Sequence, residues 1–170
     1  MKDNFEQCLA LVLKHEGGWV NHPQDPGGET MMGVTKKAWE SYIGHPVPSG
    51  SMKNLTIKDV TPFYRANYWN KVRGDQLPDG VDYAVFDYAV NSGVSRAAKQ
   101  LQACVGTTQD GLIGPKTLEA VQSKKAVDLC SCICDNRLAF LKKLPTWPTF
   151  GKGWGNRVAD VKKVSKTMAV

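Results

Sequence analysis

The residues best suited to chemistry lie between positions 15 and 35, in the run HEGGWVNHPQDPGGETMMGVT. Three acidic side chains, Glu16, Asp25 and Glu29, alternate here with two glycine pairs. Two carboxyl groups can cleave a glycosidic bond when one protonates the leaving oxygen and the other activates water or stabilises the cationic centre. The stretch therefore indicates a candidate active site built on a short, glycine-rich loop.

Glu16 is expected at the end of the first helix, on its inner face. The apolar side chains of that face recur with helical spacing: Phe5, Cys8, Leu9, Val12 and Leu13. Gly17 and Gly18 end the helix, because glycine adopts a left-handed conformation without steric penalty. Burial disfavours the charged form of a carboxyl group, and a carboxylic acid that keeps its proton can act as a general acid. Glu16 is thus the candidate acid, and the alternative is a helix-terminal glutamate that faces water.

The loop after Glu16 contains a second candidate carboxylate. The run Asp25-Pro26-Gly27-Gly28 predicts a tight turn, since proline presets one dihedral and glycine supplies positive φ. Short strands at residues 19–20 and 31–34 would flank this turn and bring Asp25 back toward Glu16. Asp25 is therefore the candidate partner of the acid. Its alternative role is an Asx turn, because Asp before Pro-Gly is a common turn signal.

The motifs of this stretch resemble those of glycoside hydrolase family 108. The family pattern reads E-G-G-aromatic, D-P-G-G-x-T and G-hydrophobic-T, which this chain carries at residues 16–19, 25–30 and 33–35. The resemblance implies a bacterial or phage N-acetylmuramidase with a lysozyme-like fold. It also implies that Glu16 is the catalytic acid.

A second resemblance concerns the spacing of Glu16, Asp25 and Thr30. It is similar to the Glu/Asp/Thr triad of the family 24 phage lysozymes, with four residues rather than five between Asp and Thr. We assign these three residues to catalysis. Trp19, the aromatic residue of the first motif, is assigned to substrate binding.

A helix predicted over residues 81–92 carries further candidate binding residues. Its phrase D-Y-A-V-N-S-G resembles the D-x-x-x-N-x-G element of family 108 and the Tyr-Asn segment of lysozyme-like transglycosylases, whose Asn meets the substrate. We assign Asp87, Tyr88 and Asn91 to substrate binding. For Asp87, ordering of the active site or a network at the helix end is an open alternative.

The C-terminal half resembles peptidoglycan-binding regions. Residues 110–117 resemble the D-G-x-[IF]-G-P-K-T motif of such modules, and residues 150–158 resemble the close of the family's C-terminal region. We predict a long helix over residues 125–143, a Trp/Pro/Gly connection over 144–155, and a basic helix over 154–168. The expected organisation is a lysozyme-like catalytic region at 1–92 and a helical peptidoglycan-binding region at 93–170, packed as one compact unit.

Net charge and composition narrow the classes of molecule that this protein could bind. A net charge of +6 over 170 residues favours a polyanionic partner, either nucleic acid or an anionic cell envelope. Nucleic acid is disfavoured because no zinc-finger spacing, RNP run or dense basic arm occurs. No apolar run approaches the roughly 18 residues of a membrane span. The polar N-terminus lacks a signal-peptide core, which predicts synthesis in the cytoplasm. The resemblance to family 108 implies action in the periplasm and cell wall.

The cysteine pattern predicts neither a disulfide framework nor a metal site. The odd set comprises Cys8, Cys104, Cys130, Cys132 and Cys134. An odd count without paired spacing argues against disulfides. Helical spacing turns Cys132 away from Cys130 and Cys134, so the three do not converge on a metal. The histidines also lack an HExxH arrangement, so we expect no metal and no cofactor.

These observations predict a mainly α, lysozyme-like fold: a helical bundle with a small β-hairpin beside the active site. The predicted function is a monomeric N-acetylmuramidase that cleaves the β-1,4 bond between N-acetylmuramic acid and N-acetylglucosamine of bacterial peptidoglycan. The lack of a leader and the small size suggest a phage endolysin that depends on a holin. The alternatives are a lytic transglycosylase, a chitinase of the family 19 type, and a wall-binding protein without catalysis.

Overall fold

The structure, a computed structural model, describes residues 4–21 and 28–170. In these residues the α-helices and β-strands are α1 (Phe5–His15), β1 (Thr30–Met31), β2 (Val34–Thr35), α2 (Lys36–Ile43), α3 (Ile57–Tyr64), α4 (Val81–Ser92), α5 (Val94–Val105), α6 (Pro115–Gln122), α7 (Ala126–Lys142) and α8 (Trp147–Met168). The expected mainly α fold with a small β-hairpin is confirmed. Two compact units share the chain: Leu9–Asn67, and Met1–Cys8 together with Tyr68–Val170.

The Leu9–Asn67 unit contains the hairpin. β1 and β2 are antiparallel, with Met31 opposite Val34. The two residues between them, Met32 and Gly33, both have positive φ, at 49° and 79°. That is the geometry of a two-residue turn whose twist matches the strands. The single strand predicted over residues 31–34 is therefore wrong, because this turn divides it.

A third piece of backbone joins the hairpin from the other side. Val20 and Thr30 exchange two backbone hydrogen bonds, of 2.9 and 2.7 Å. The pairing confirms that the chain doubles back between Trp19-Val20 and β1, as the proline-glycine motif predicted. Of that motif, residues 25–27 lie outside the described residues.

Helix α2 begins and ends where its local sequence predicts. Thr35 Oγ1 accepts a hydrogen bond from the Ala38 N–H at 3.1 Å, which caps the first turn. Gly44 follows the last residue in a left-handed conformation and ends the helix. Both caps are local interactions, and this is why the sequence could predict them.

The second unit is organised around α4. Residues 81–89 of this helix are all buried, so it has no solvent-facing side over that length. The rings of Phe5, Trp69 and Phe86 pack against one another with centroids 5.3 to 5.9 Å apart. Asn4 donates hydrogen bonds to Asp79 and Asp82, at 2.7 and 2.9 Å, and so ties the N-terminal segment to the start of α4.

Helix α8 begins seven residues earlier than expected. The segment predicted as a Trp/Pro/Gly connection, residues 144–155, is helical from Trp147 onward. The indole of Trp147 lies flat on the glycine side of the helix: a Cβ built on Gly151 would lie only 2.5 Å from the ring. The glycines that weaken a helix by composition here make room for an aromatic side chain, and its packing offsets their low propensity.

The expectation that no cysteines pair is also wrong. Cys104 on α5 and Cys132 on α7 form a disulfide across 28 residues of sequence, whereas the buried residues Cys8, Cys130 and Cys134 form no disulfide. Spacing along the chain could not predict this bond, because it depends on α5 packing against α7.

Candidate active site

Glu16 is the first residue after α1. Its N–H donates to the Leu13 carbonyl over 3.3 Å, which extends the helix end by one tighter turn. The side chain is half-buried, so it is neither in the core nor free in solvent. Leu9 and Val12, which precede Glu16 on α1, are both buried and anchor the end of this helix.

The hairpin turn closes on Glu16. A Cβ built on Gly33 would lie 2.8 Å from Glu16 Oε2 and 2.8 Å from the Tyr64 hydroxyl oxygen. Both oxygens therefore lie against the same backbone point, no farther apart than twice that distance. A side chain at position 33 would occupy the space of the candidate acid. Glycine is required here for the close approach as well as for its positive φ.

Tyr64 holds the turn in place. This residue of α3 is buried, and its hydroxyl donates to the Met32 carbonyl over 2.6 Å. Met32 has φ of 49°, which costs a non-glycine residue about 1–2 kcal/mol. Strain of this kind persists where surrounding contacts hold it, and it clusters at functional sites. Sequence analysis did not select Tyr64, which reads as one of several aromatic core residues.

Glu29 has a structural role rather than a catalytic one. Its buried carboxylate accepts the backbone N–H groups of Gly50 and Met52 at 2.9 to 3.1 Å, at the start of a short 3₁₀ helix, Ser51–Asn54. Burial alone would raise its pKa, but the two backbone bonds and the Trp19 indole N–H outweigh that effect and lower the pKa. Glu29 is therefore an ionised structural anchor.

Trp19 and Thr30 flank this region. The Trp19 indole donates to Glu29 over 3.3 Å, the Lys53 ammonium lies 4.8 Å from its ring centroid, and 38% of the residue remains exposed. An oriented, partly exposed indole is a suitable surface for a sugar ring. Thr30 is half-buried on β1 with its backbone paired to Val20 and Thr35. Asp25 lies outside the described residues.

In the second unit, Asp87 is fully buried between two arginines. Arg137 Nη1 donates to Asp87 Oδ2 over 2.6 Å, and Arg157 donates to both carboxylate oxygens at 3.0 and 3.2 Å. Burial would raise its pKa, but the two guanidinium groups more than offset this and lower it. Both oxygens are engaged out of solvent, which favours the alternative role of Asp87, ordering of the helices, over direct contact with the substrate.

Asn91 is connected to that ion pair. Arg137 Nη2 donates to Asn91 Oδ1 over 3.1 Å. Because a guanidinium only donates, the amide oxygen faces Arg137 and the NH₂ group is the part left to bind an acceptor. Asn91 is half-buried, whereas its neighbour Tyr88 is buried with the Arg137 guanidinium 5.2 Å from its ring. Tyr88 thus supports Arg137, and Asn91 is the better candidate for ligand contact.

Each half of the chain matches a known protein-family model. Residues 9–93 match the family model described as Glycosyl hydrolase 108. The chain belongs to glycosyl hydrolase family 108. Residues 96–159 of this family 108 protein match a model described as Predicted Peptidoglycan domain. No curated protein matches the sequence.

A solved structure supports the assignment over nearly the whole chain. The family 108 protein is similar to the structure of Brucella abortus SagA, with 47% identity and a TM-score of 0.88. The alignment covers 98% of this chain and 95% of the Brucella chain. Together the matches identify a glycoside hydrolase with a lysozyme-like fold that acts on peptidoglycan. The boundary between a 1–92 and a 93–170 region stays a prediction.

No helix among residues 4–21 and 28–170 of the family 108 protein is long and apolar enough to cross a membrane.

Proposed function

We propose that the protein is an N-acetylmuramidase that cleaves the β-1,4 bond between N-acetylmuramic acid and N-acetylglucosamine. Glu16 donates the proton to the leaving oxygen. The observation that carries this assignment is the contact of Glu16 Oε2 with the Gly33 turn, beside the hydroxyl of Tyr64. A half-buried carboxyl group on a rigid support is what a general acid requires.

The other roles follow from residue chemistry. Asp25, with Thr30, activates the attacking water or stabilises the oxocarbenium-like centre. Trp19 offers an aromatic face and Asn91 an amide N–H to the glycan. The basic end of α8 attracts the anionic wall; Lys163 is exposed and Lys166 half-exposed there.

The proposed setting is phage-driven lysis, in which a monomeric endolysin made in the cytoplasm reaches the wall through a holin. The Cys104–Cys132 bond supports action outside the cytoplasm, because disulfides persist in oxidising compartments. A bacterial muramidase released to its own wall is equally compatible with these residues.

The test is the chemistry of the fragments released from purified peptidoglycan. Mass spectrometry should show muramic acid reducing ends. 1,6-Anhydromuramoyl ends would instead identify a lytic transglycosylase, and binding to the wall without release of soluble fragments would identify a wall-binding protein. Glu16→Gln should abolish release while circular dichroism stays unchanged, and substantial residual lysis would refute the role of Glu16.

The second carboxylate is tested separately. Asp25→Ala should reduce the rate by at least about a hundredfold if Asp25 is the general base. A near-normal rate would show that Asp25 only shapes its turn.

A further inference from the structure

A cavity of about 380 Å³ opens in the second unit, where α4 meets α5 and α7 approaches. It lies apart from the Glu16 region in sequence, and none of the roles above uses it. Six of its nine lining residues carry the argument: Tyr88, Ser95, Arg96, Lys99, Gln100 and Phe140. None of the nine is acidic, whereas two are cationic and several offer hydroxyl or amide groups. The lining therefore favours an anionic ligand.

Arg96 is held in a defined position at this cavity. Its guanidinium carbon lies 4.1 Å from the centroid of the Phe140 ring, a cation–π contact between α5 and α7. Stacking occupies the face of the guanidinium and leaves its N–H edge, which matches a carboxylate with two parallel bonds. A pre-positioned arginine loses less freedom on binding than a mobile one.

Lys99 lies one helical turn further along the same face of α5. Its aliphatic chain passes Gly111, where a Cβ would lie 3.5 Å from Lys99 Cε and 3.0 Å from Ser95 Oγ. Gly111 has φ of 81°, and its N–H donates to the buried Gln102 side chain over 2.9 Å. The loop that carries Gly111 is thus fixed against α5, and the aliphatic chain of the exposed Lys99 lies beside it.

We infer that this cavity binds a free carboxylate of the peptide stems that peptidoglycan carries on its glycan strands. The inference rests on peptidoglycan being the substrate, and it assigns the peptide component to the region that matches the peptidoglycan model. Two cations and polar side chains over aromatic rings suit a short acidic peptide. A bare sugar ring would not need the cations.

The test is calorimetric binding to two matched probes, a soluble stem peptide with free carboxylates and the same peptide with its carboxylates amidated. The full-length chain should bind the free acid at least about tenfold more tightly, a difference on the scale of one charge-assisted bond. The double variant Arg96→Gln/Lys99→Gln should bind both probes equally. Phe140→Leu, which keeps an apolar side chain but frees Arg96, should lose part of the preference.

The control variant is Lys124→Gln/Lys125→Gln, which removes the same charge from two exposed positions between α6 and α7. It should keep the preference of the parent chain. Equal affinity of the parent for both probes would overturn the inference. So would equal loss in the control, which would indicate non-specific attraction, or full displacement by equimolar inorganic phosphate, which would indicate a general anion site.

Peptide binding is measured without turnover, so its result is independent of the proposed catalytic function. The Glu16→Gln chain should bind the free-acid peptide as the parent does. If lysis persists in that variant and the two peptides are distinguished, the catalytic assignment fails and the peptide site stands. If lysis is lost but the peptides are not distinguished, the peptide site fails and the catalytic assignment stands.

Discussion

Arg137 Nη1 lies 2.6 Å from Asp87 Oδ2, with both side chains excluded from solvent. The same guanidinium reaches Asn91 with its second terminal nitrogen. A fully buried ion pair therefore sets the orientation of a half-buried amide one helical turn away. The pair connects α7 to the core of α4, and Arg157 of α8 completes it.

Asp87→Asn should destabilise the fold by about 3–5 kcal/mol, because it leaves two arginines without their buried counter-charge. Asp135→Asn is the matched control, since Asp135 pairs with Lys162 over 2.8 Å with 60% and 37% of the two side chains exposed. That exposed pair should contribute at most about 1 kcal/mol. Urea denaturation of the two variants measures the difference, and equal losses would contradict a structural role for Asp87.

Gly33→Ala should reduce activity by about a hundredfold, the scale of a small misplacement of a catalytic group, because the new Cβ meets Glu16 Oε2. Gly44→Ala is the control. Its φ is also positive, at 88°, but a Cβ there has nothing within 4 Å. Both variants should lose about 1–2 kcal/mol from left-handed strain, and only the first should lose turnover. A Gly33→Ala enzyme with normal kcat would show that the turn does not position the acid.

Glu29 should make the protein sensitive to acid. Its folded pKa is lowered, so its contribution to stability is present above the unfolded value of 4.5 and is lost as pH falls through the folded pKa. Glu29→Gln should therefore show a flatter decline of unfolding free energy below about pH 4.5 than the parent. Urea titrations between pH 3 and 7 measure the two slopes. Parallel curves would mean that the carboxylate contributes no charge-dependent stability.

Gly151→Ala and Gly153→Ala should change the stability of the protein in opposite directions, although both positions lie in α8. In an open helical position alanine is better than glycine by about 1 kcal/mol, and a Cβ at position 153 meets nothing within 4 Å. At position 151 it would lie 2.5 Å from the Trp147 ring. Thermal unfolding should show Gly153→Ala stabilised and Gly151→Ala destabilised. Stabilisation by both would mean that Trp147 does not pack against the glycines.

Local sequence was enough for most helix ends. Thr35 caps the start of α2 and Gly44 ends that helix. Pro115 occupies the first helical position of α6. The expected end of α4 at Gly93 is also confirmed. Each of these signals acts through backbone groups a few residues away, so no knowledge of distant contacts is needed.

The sequence could select only some of the residues at the candidate site. Glu16 could be selected because its motif and the end of an apolar helical face coincide. Tyr64 could not be selected, because its role depends on a contact between its hydroxyl on α3 and the Met32 carbonyl in the hairpin turn. For Asp87 the sequence left substrate contact and ordering of the active site both open, since a motif does not reveal which charges will surround a carboxylate.

The sequence by itself determined the helical periodicity, the caps, the glycine-rich loop and the family to which the chain belongs, because these are written in residues close together along the chain. Tertiary structure alone decided that Glu29 anchors a 3₁₀ helix, that Cys104 meets Cys132, and that the Tyr64 hydroxyl meets the Met32 carbonyl. These outcomes depend on which side chains meet across long loops. Packing selects those partners by shape, burial and charge, and none of these quantities is set by local spacing.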